Sequence, residues 1–188
     1  MREIGIGILG CGVVGSGTVE ILHSNAREIE RRVGARLVVR RVAVKDPEKP
    51  RPACLDRSLI TTDPIAVIAD PSVDIVAELV GGVDPAGDWI REGLERGKHI
   101  VTANKELMAK AGHPLMDFAA VRNLDFFLEG SVAGGIPILS AMKESLAANR
   151  FREVMGIVNG TTNYILTRMT EEGAPFEDVL RDAQRFGY

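Results

Sequence analysis

Two cysteines and three histidines are all that the 188 residues offer to a soft metal or a disulfide framework. Cys11 and Cys54 have no metal-ligand spacing, and His23, His99 and His113 are scattered without an HxxxH pair. Each histidine is read as a surface or packing residue. No apolar run reaches the roughly 20 residues that span a bilayer. The start, MREIGIGILG, lacks the basic residues, apolar stretch and cleavage site of a signal peptide. Charge is not one-sided either. The net value of −3 and a pI of about 5.7 give no electrostatic footprint for nucleic acid or a membrane surface. Internal repeats and low-complexity segments are lacking. What remains is the expectation of a cytoplasmic, reducing-compartment protein, whose 45% hydrophobic content suffices for one complete core and part of a second.

Short apolar runs alternate with longer helical patterns. IGIGIL predicts a buried first strand. Residues 13–34 predict one helix, with Val14, Val19, Ile21, Leu22 and Ile29 on its packing face and Gly34 as its stop. RLVVRRVAVK predicts a second strand, followed by a proline-rich loop. TDPIAVIAD predicts a helix capped by Asp63, with Pro64 in the first position. DIVAELV predicts a third strand, apolar nearly throughout, as when both faces are covered. PAGDWIREGLERG predicts a helix ending at Gly97, HIVTA a fourth strand, and LDFFLEG a further one. This alternation implies right-handed crossovers and a doubly wound parallel α/β sheet over residues 1–128. Residues 129–188 predict a helix at IPILSAMKESLAAN, a strand at FREVMGIVNG, and helices at TTNYILTRMTEEG and PFEDVLRDAQRFGY. They are too few to close an independent α+β domain. DAQRFGY stops directly after a helix, with Gly187 as C-cap, so a truncated chain is expected.

GILGCGVVGSG contains Gly10, Cys11, Gly12, Val13, Val14 and Gly15 in the pattern G-x-G-x-x-G, directly after a strand and opening a helix. The first glycine allows a tight turn, the second lets a pyrophosphate approach the backbone, and the third lets helix and strand pack closely. Free N–H groups and the helix dipole then hold the phosphates. Cys11 is read as a small side chain in a crowded turn rather than a reactive thiol. At the end of the second strand an acid suits NAD and a base suits NADP. The chain has both, Lys45 then Asp46, with Arg51 and Arg57 nearby. The expectation leans to NADP, or to use of both cofactors. Lys45 also fits a solvated strand-end charge.

VTANKELMA places a lysine where helices prefer acids. Asn104 reads as the N-cap, so Lys105 falls in the first helical turn, just past the carboxyl end of the fourth strand. Ligands of doubly wound sheets bind there. A lysine in that crevice can orient or protonate a carbonyl oxygen, or hold a carboxylate. An exposed lysine that merely snorkels is the alternative.

Six stretches, GILGCGVVGSG, DIVAELVGG, GKHIVTANKELMA, FFLEGSVAGGIPIL, GIVNGTTNYILTRM and AQRFGY, resemble the homoserine dehydrogenase family in order and spacing, over essentially the whole chain. The resemblance implies a Rossmann-type domain followed by the start of an incomplete catalytic and dimerisation domain. It implies NADP- or NAD-dependent interconversion of homoserine and aspartate 4-semialdehyde, in threonine and methionine biosynthesis, by a homodimer or higher oligomer. Gly10 to Gly15, Lys45, Thr102, Ala103, Lys105 and Gly187 would contact the cofactor, with Lys105 also catalytic. Gly160, Thr161 and Tyr188 would bind substrate. Ordinary capping of a helix by Thr161 or Asn159 is the other reading of NGTT. The EGSVAGGI turn resembles a monovalent-cation (Na+) site built from the carbonyls of Glu129, Val132, Gly134 and Ile136; a turn that only packs would look the same. In the family the chain runs on past GY into an acidic stretch and a second lysine, and many members add a regulatory domain. A piece without them is expected to bind cofactor and turn over slowly or not at all. Another NAD(P)-dependent amino-acid dehydrogenase or reductase, and a dinucleotide-binding module without chemistry, are the competing readings.

Overall fold

The IGIGIL run forms β1 (Glu3–Leu9), and its side chains alternate between two faces. Ile6 and Ile8 enter one apolar core while Leu9 enters the other. The computed structural model describes residues 2–187, which divide into two compact units, the first ending at Met142 and the second beginning at Lys143. The boundary expected at residue 128 falls inside the first.

In the first unit β1 is followed by two helices, α1 (Val13–Ser24) and α2 (Ala26–Val33), where one was expected. The break is at Asn25, whose N–H still bonds Ile21 O at 3.0 Å. Of the expected packing face, Val19 is buried and Leu22 and Ile29 are half-buried, but Val14 and Ile21 are exposed. Gly34 terminates α2 in the left-handed conformation, as expected. Strand β2 (Arg36–Ala43) leads through a long loop to β3 (Ile60–Thr61), a two-residue strand too short to carry a periodic signal. Next come α3 (Pro64–Ile68), capped by Asp63, and β4 (Ile75–Glu78). They are followed by α4 (Ala86–Glu95), β5 (His99–Thr102) and α5 (Lys105–Val121). β6 (Phe126–Phe127) is all that forms of the expected LDFFLEG strand, because the chain turns at Glu129–Ser131 directly beyond it.

All strands are parallel, in the order β3-β2-β1-β4-β5-β6. The order reverses between β1 and β4, so the carboxyl ends of those strands open a crevice. On one face, Val76 and Ile100 pack with Ile90, Leu94, Leu107 and Leu115 of α4 and α5. On the other, Ile6, Ile8, Val42 and Ala77 pack with Val19 of α1, Cys11 and Leu55.

The helix expected over residues 136–149 shrinks to α6 (Ile138–Ser140), extended by a π turn at Ala141–Ser145. None of its residues is fully buried, and without a buried apolar face a helix has little to hold it. The strand expected at FREVMGIVNG does not form. Residues 151–160 are exposed throughout and no described strand pairs with them; a strand needs a ladder partner before its apolar pattern counts. In the second unit, α7 (Gly160–Glu171) and α8 (Phe176–Phe186) pack on each other through Ile165, Val179 and Ala183. Arg168 links them, bonding Asp182 at 3.0 Å besides Tyr164 in its own helix and Glu172 at that helix's C-cap.

Candidate functional site

The crevice at the carboxyl end of β1 and β4 gathers the loops of the first unit. Gly10 has φ +93°, and a Cβ there would meet Leu79 O at 2.9 Å. Its N–H bonds Ala43 O at 2.9 Å, and Leu79 N bonds Leu9 O at 2.8 Å, so the chain after β1 is tied to β2 and β4. A Cβ at Gly15 would lie 2.2 Å from Gly10 O; only glycine lets α1 start so close to the loop. Gly12 is different: a Cβ there meets nothing within 4 Å. Packing therefore does not require glycine at 12, and the open space in front of it suits a ligand pressed against backbone. Gly12 is also the N-cap of α1 and supplies no capping side chain. The helix's first N–H groups lack intrahelical acceptors and face a position suited to phosphate. Val13 and Val14 are exposed beside it. Cys11 is 3% exposed and its thiol lies 3.6 Å from Ser16 Oγ, which fits a small side chain packed in a turn.

Lys45 and Asp46 are exposed at the head of the loop after β2. Arg51, placed only as a neighbour by sequence, turns out to lock that loop. Its guanidinium donates to Cys11 O in the glycine loop and to Asp46 O at 2.9 Å. Arg57 reaches Pro47 O at 3.4 Å instead.

Lys105 is the first residue of α5 and is exposed, with no ion pair or hydrogen bond among the described residues. Asn104 is the N-cap, as expected, accepting from Leu107 N at 3.1 Å. Its amide also donates to Gly82 O at 2.6 Å, in the loop after β4. Thr102 is buried, and Ala103 lies against the Glu129–Ser131 turn, where a Cβ on Gly130 would be 3.3 Å from it. Sequence reading missed Glu78, the last residue of β4, which is 0% exposed. It accepts from Thr102 Oγ1 at 2.7 Å, Val80 N at 2.9 Å and Gly81 N at 3.3 Å. A lone acid at the carboxyl end of an apolar strand was the available signal.

The carboxylate of Glu129 accepts from Leu139 N and Ser140 N, both at 2.9 Å, and so caps α6. Among the four carbonyls of the expected cation site, that of Glu129 takes Val132 N at 3.3 Å and that of Ile136 takes Ile138 N at 2.8 Å. Val132 is half-buried and Gly134 exposed. Gly160 and Thr161 lie in the second unit, at the start of α7. There Asn159, not Thr161, is the cap, accepting from Thr162 N at 2.8 Å. Gly187, in the same unit, ends α8 in the left-handed conformation. Tyr188 lies outside the described residues.

Strand order, switch point and a glycine loop running into α1 define a dinucleotide-binding domain of Rossmann type. A family model described as the homoserine dehydrogenase NAD binding domain matches residues 10–129, and one described as homoserine dehydrogenase matches residues 137–188. The homoserine dehydrogenase of Bacillus subtilis (strain 168) is 45% identical over 188 residues, covering 100% of this chain and 43% of the relative. That of Neisseria gonorrhoeae is 43% identical over the same length, with the same shares. The crystal structure of a homoserine dehydrogenase from Thiobacillus denitrificans superimposes with a TM-score of 0.92 at 46% identity, over 100% of this chain and 43% of that one. The chain belongs to the homoserine dehydrogenase family, and it spans 43% of the length of these relatives.

Proposed function

We propose that this chain is the cofactor-binding part, with the first portion of the substrate-binding part, of an NAD(P)-dependent homoserine dehydrogenase interconverting L-homoserine and L-aspartate 4-semialdehyde. The observation that carries it is the G-x-G-x-x-G loop at the β1/β4 switch point, in the same unit as a solvent-facing Lys105 that follows β5. The donor set fits a dinucleotide. The first-turn N–H groups of α1 would hold the pyrophosphate, and Lys45, with Arg51 behind it, would favour the 2′-phosphate of NADP. The bound nicotinamide supplies or accepts the hydride. Thr102, Ala103 and Lys105 would stand at its end of the crevice. The Lys105 ammonium would hold the substrate oxygen as alkoxide charge develops on it. In the second unit, the N–H groups that open α7 at Gly160 and Thr161 are of a kind that suits a carboxylate. A sodium ion held by the carbonyls of Glu129, Val132, Gly134 and Ile136 belongs to this reading; the Glu129 and Ile136 carbonyls each accept one N–H in the turn and keep a second lone pair.

Binding and turnover are tested separately, since the chain spans 43% of its relatives' length. Calorimetric titration of the 188-residue chain with NADPH and NADH is expected to show saturable binding, tighter for NADPH. In the full-length protein, Lys105→Ala is expected to lower kcat on the order of a hundredfold, as loss of a charge-stabilising donor does. Full activity in that variant would remove Lys105 from the mechanism.

A further inference from the structure

We propose that Glu78 is a positioning residue for the nicotinamide end of the crevice, an inference that rests on the cofactor-binding reading above. Glu78 sits at the last position of β4, beside the switch point, and is completely buried. No lysine or arginine pairs with it among the described residues. A buried carboxylate without a cation is a poor choice for stability alone. Its surroundings explain it. Two backbone N–H groups of the loop after β4, those of Val80 and Gly81, converge on Oε1, and the Thr102 hydroxyl donates to Oε2. All three neighbours are donors, and a carboxylate is the side chain that only accepts. Glutamine would turn an N–H2 toward one of them.

The bonds continue beyond Glu78 as a chain. Thr102 Oγ1, having donated to Glu78, accepts from Asn104 N at 3.1 Å. Asn104 caps α5 through Leu107 N and returns to the β4 loop by donating to Gly82 O. The loop after β4, the end of β5 and the first turn of α5 therefore form one closed circuit, with Glu78 as its acceptor. Lys105 is the next residue along α5, and Thr102 and Ala103 are the candidate nicotinamide contacts. Glu78 touches neither cofactor nor substrate in this reading; it fixes the backbone from which those groups project. Because the circuit is closed, opening it at Glu78 or at Thr102 has the same consequence for both loops.

The test is NADPH titration of the 188-residue chain and its Glu78→Gln, Thr102→Val and double variants, held well below their melting temperatures. Amide hydrogen exchange is read at Val80, Gly81 and Asn104. Each single variant is expected to weaken NADPH binding roughly tenfold, as one orphaned buried donor shifts the loops from the competent arrangement. The double variant is expected to lose little more than either single one, and the three amides to exchange faster in both. A purely stabilising role would lower the melting temperature and leave the affinity of the folded chain untouched. Folded variants that bind like the wild type, or losses that multiply in the double variant, overturn the proposal. If Glu78→Gln does not fold, Glu78→Asp decides in its place, since it keeps the charge but withdraws the carboxylate from the Val80 and Gly81 N–H groups; a folded Glu78→Asp that binds like the wild type overturns the proposal. A wild-type chain that binds neither NADPH nor NADP+ refutes the cofactor reading and this proposal together. Wild-type binding with unaffected variants refutes this proposal only.

Discussion

Asp70, two residues beyond α3, shows how much a single side chain can be made to do by its neighbours. Its carboxyl is pulled down to about 2, first by the Ser72 hydroxyl at 2.6 Å, then by Arg41 and by the Ser72 N–H. It also offers its carbonyl to Lys98 Nζ at 2.9 Å, tying the turn before β4 to the chain entering β5. A pKa depressed in the folded state stabilises the fold fully above the ordinary value of 3.8 and ceases to do so as pH falls through about 2. At 15% side-chain exposure, solvent screening leaves about 1 kcal/mol for Asp70→Asn at pH 7. Denaturant unfolding of wild type and variant should show that gap at pH 7 and lose most of it near pH 2; an equal gap at both would contradict the pairing. At this scale the glycine turn into α1, the Asn104 cap and the position of Lys105 at the start of α5 were legible because they depend on local chemistry. Glu78 and the bridge from Arg51 to Cys11 were not, since their partners are distant in sequence and only the fold brings them together.

Among the elements, helix starts follow side-chain chemistry closely. Asp63, Asn104 and Asn159 each accept from an N–H two or three residues on, as their positions before helical patterns suggest. Asn104→Ala removes both the cap of α5 and the bond to Gly82 O, so a loss of about 2 kcal/mol is expected in thermal or chemical unfolding. A loss no larger than a few tenths would show that the circuit closing α5 onto the β4 loop carries no energy. The two glycines flanking the turn after β1, Gly12 and Gly15, predict opposite behaviour. Gly15→Ala places a Cβ 2.2 Å from Gly10 O and should destabilise the fold severely, while Gly12→Ala meets nothing and should change stability by no more than about 1 kcal/mol. Strands were legible where both faces are covered, as in β1, β4 and β5. The stretch at 151–160 carries strand-forming residues, yet Val158 is 96% exposed. Its pattern states a preference that only a partner strand could satisfy.

On the scale of the whole molecule, the two units hold very different amounts of core. The sheet of the first unit is packed on both faces by extended clusters, whereas α7 and α8 share three buried residues. Amides of α7 and α8 are therefore expected to exchange through openings of much lower free energy than those of β1, β4 and β5. Uniform protection would mean that the second unit gains support from contacts beyond its own small core. The doubly wound order was legible from the alternation of strands and helices, and the family from motifs spread along the chain. The proposed pyrophosphate position rests most directly on Gly12, where an added Cβ would meet no protein atom within 4 Å. Titration of NADPH into the wild-type chain and into Gly12→Val is thus the most direct measurement. Saturable binding by the wild type and its loss in a variant that remains folded, melting within a few degrees of the wild type, is the expected result; equal binding by both, or none by the wild type, would contradict a dinucleotide at this loop.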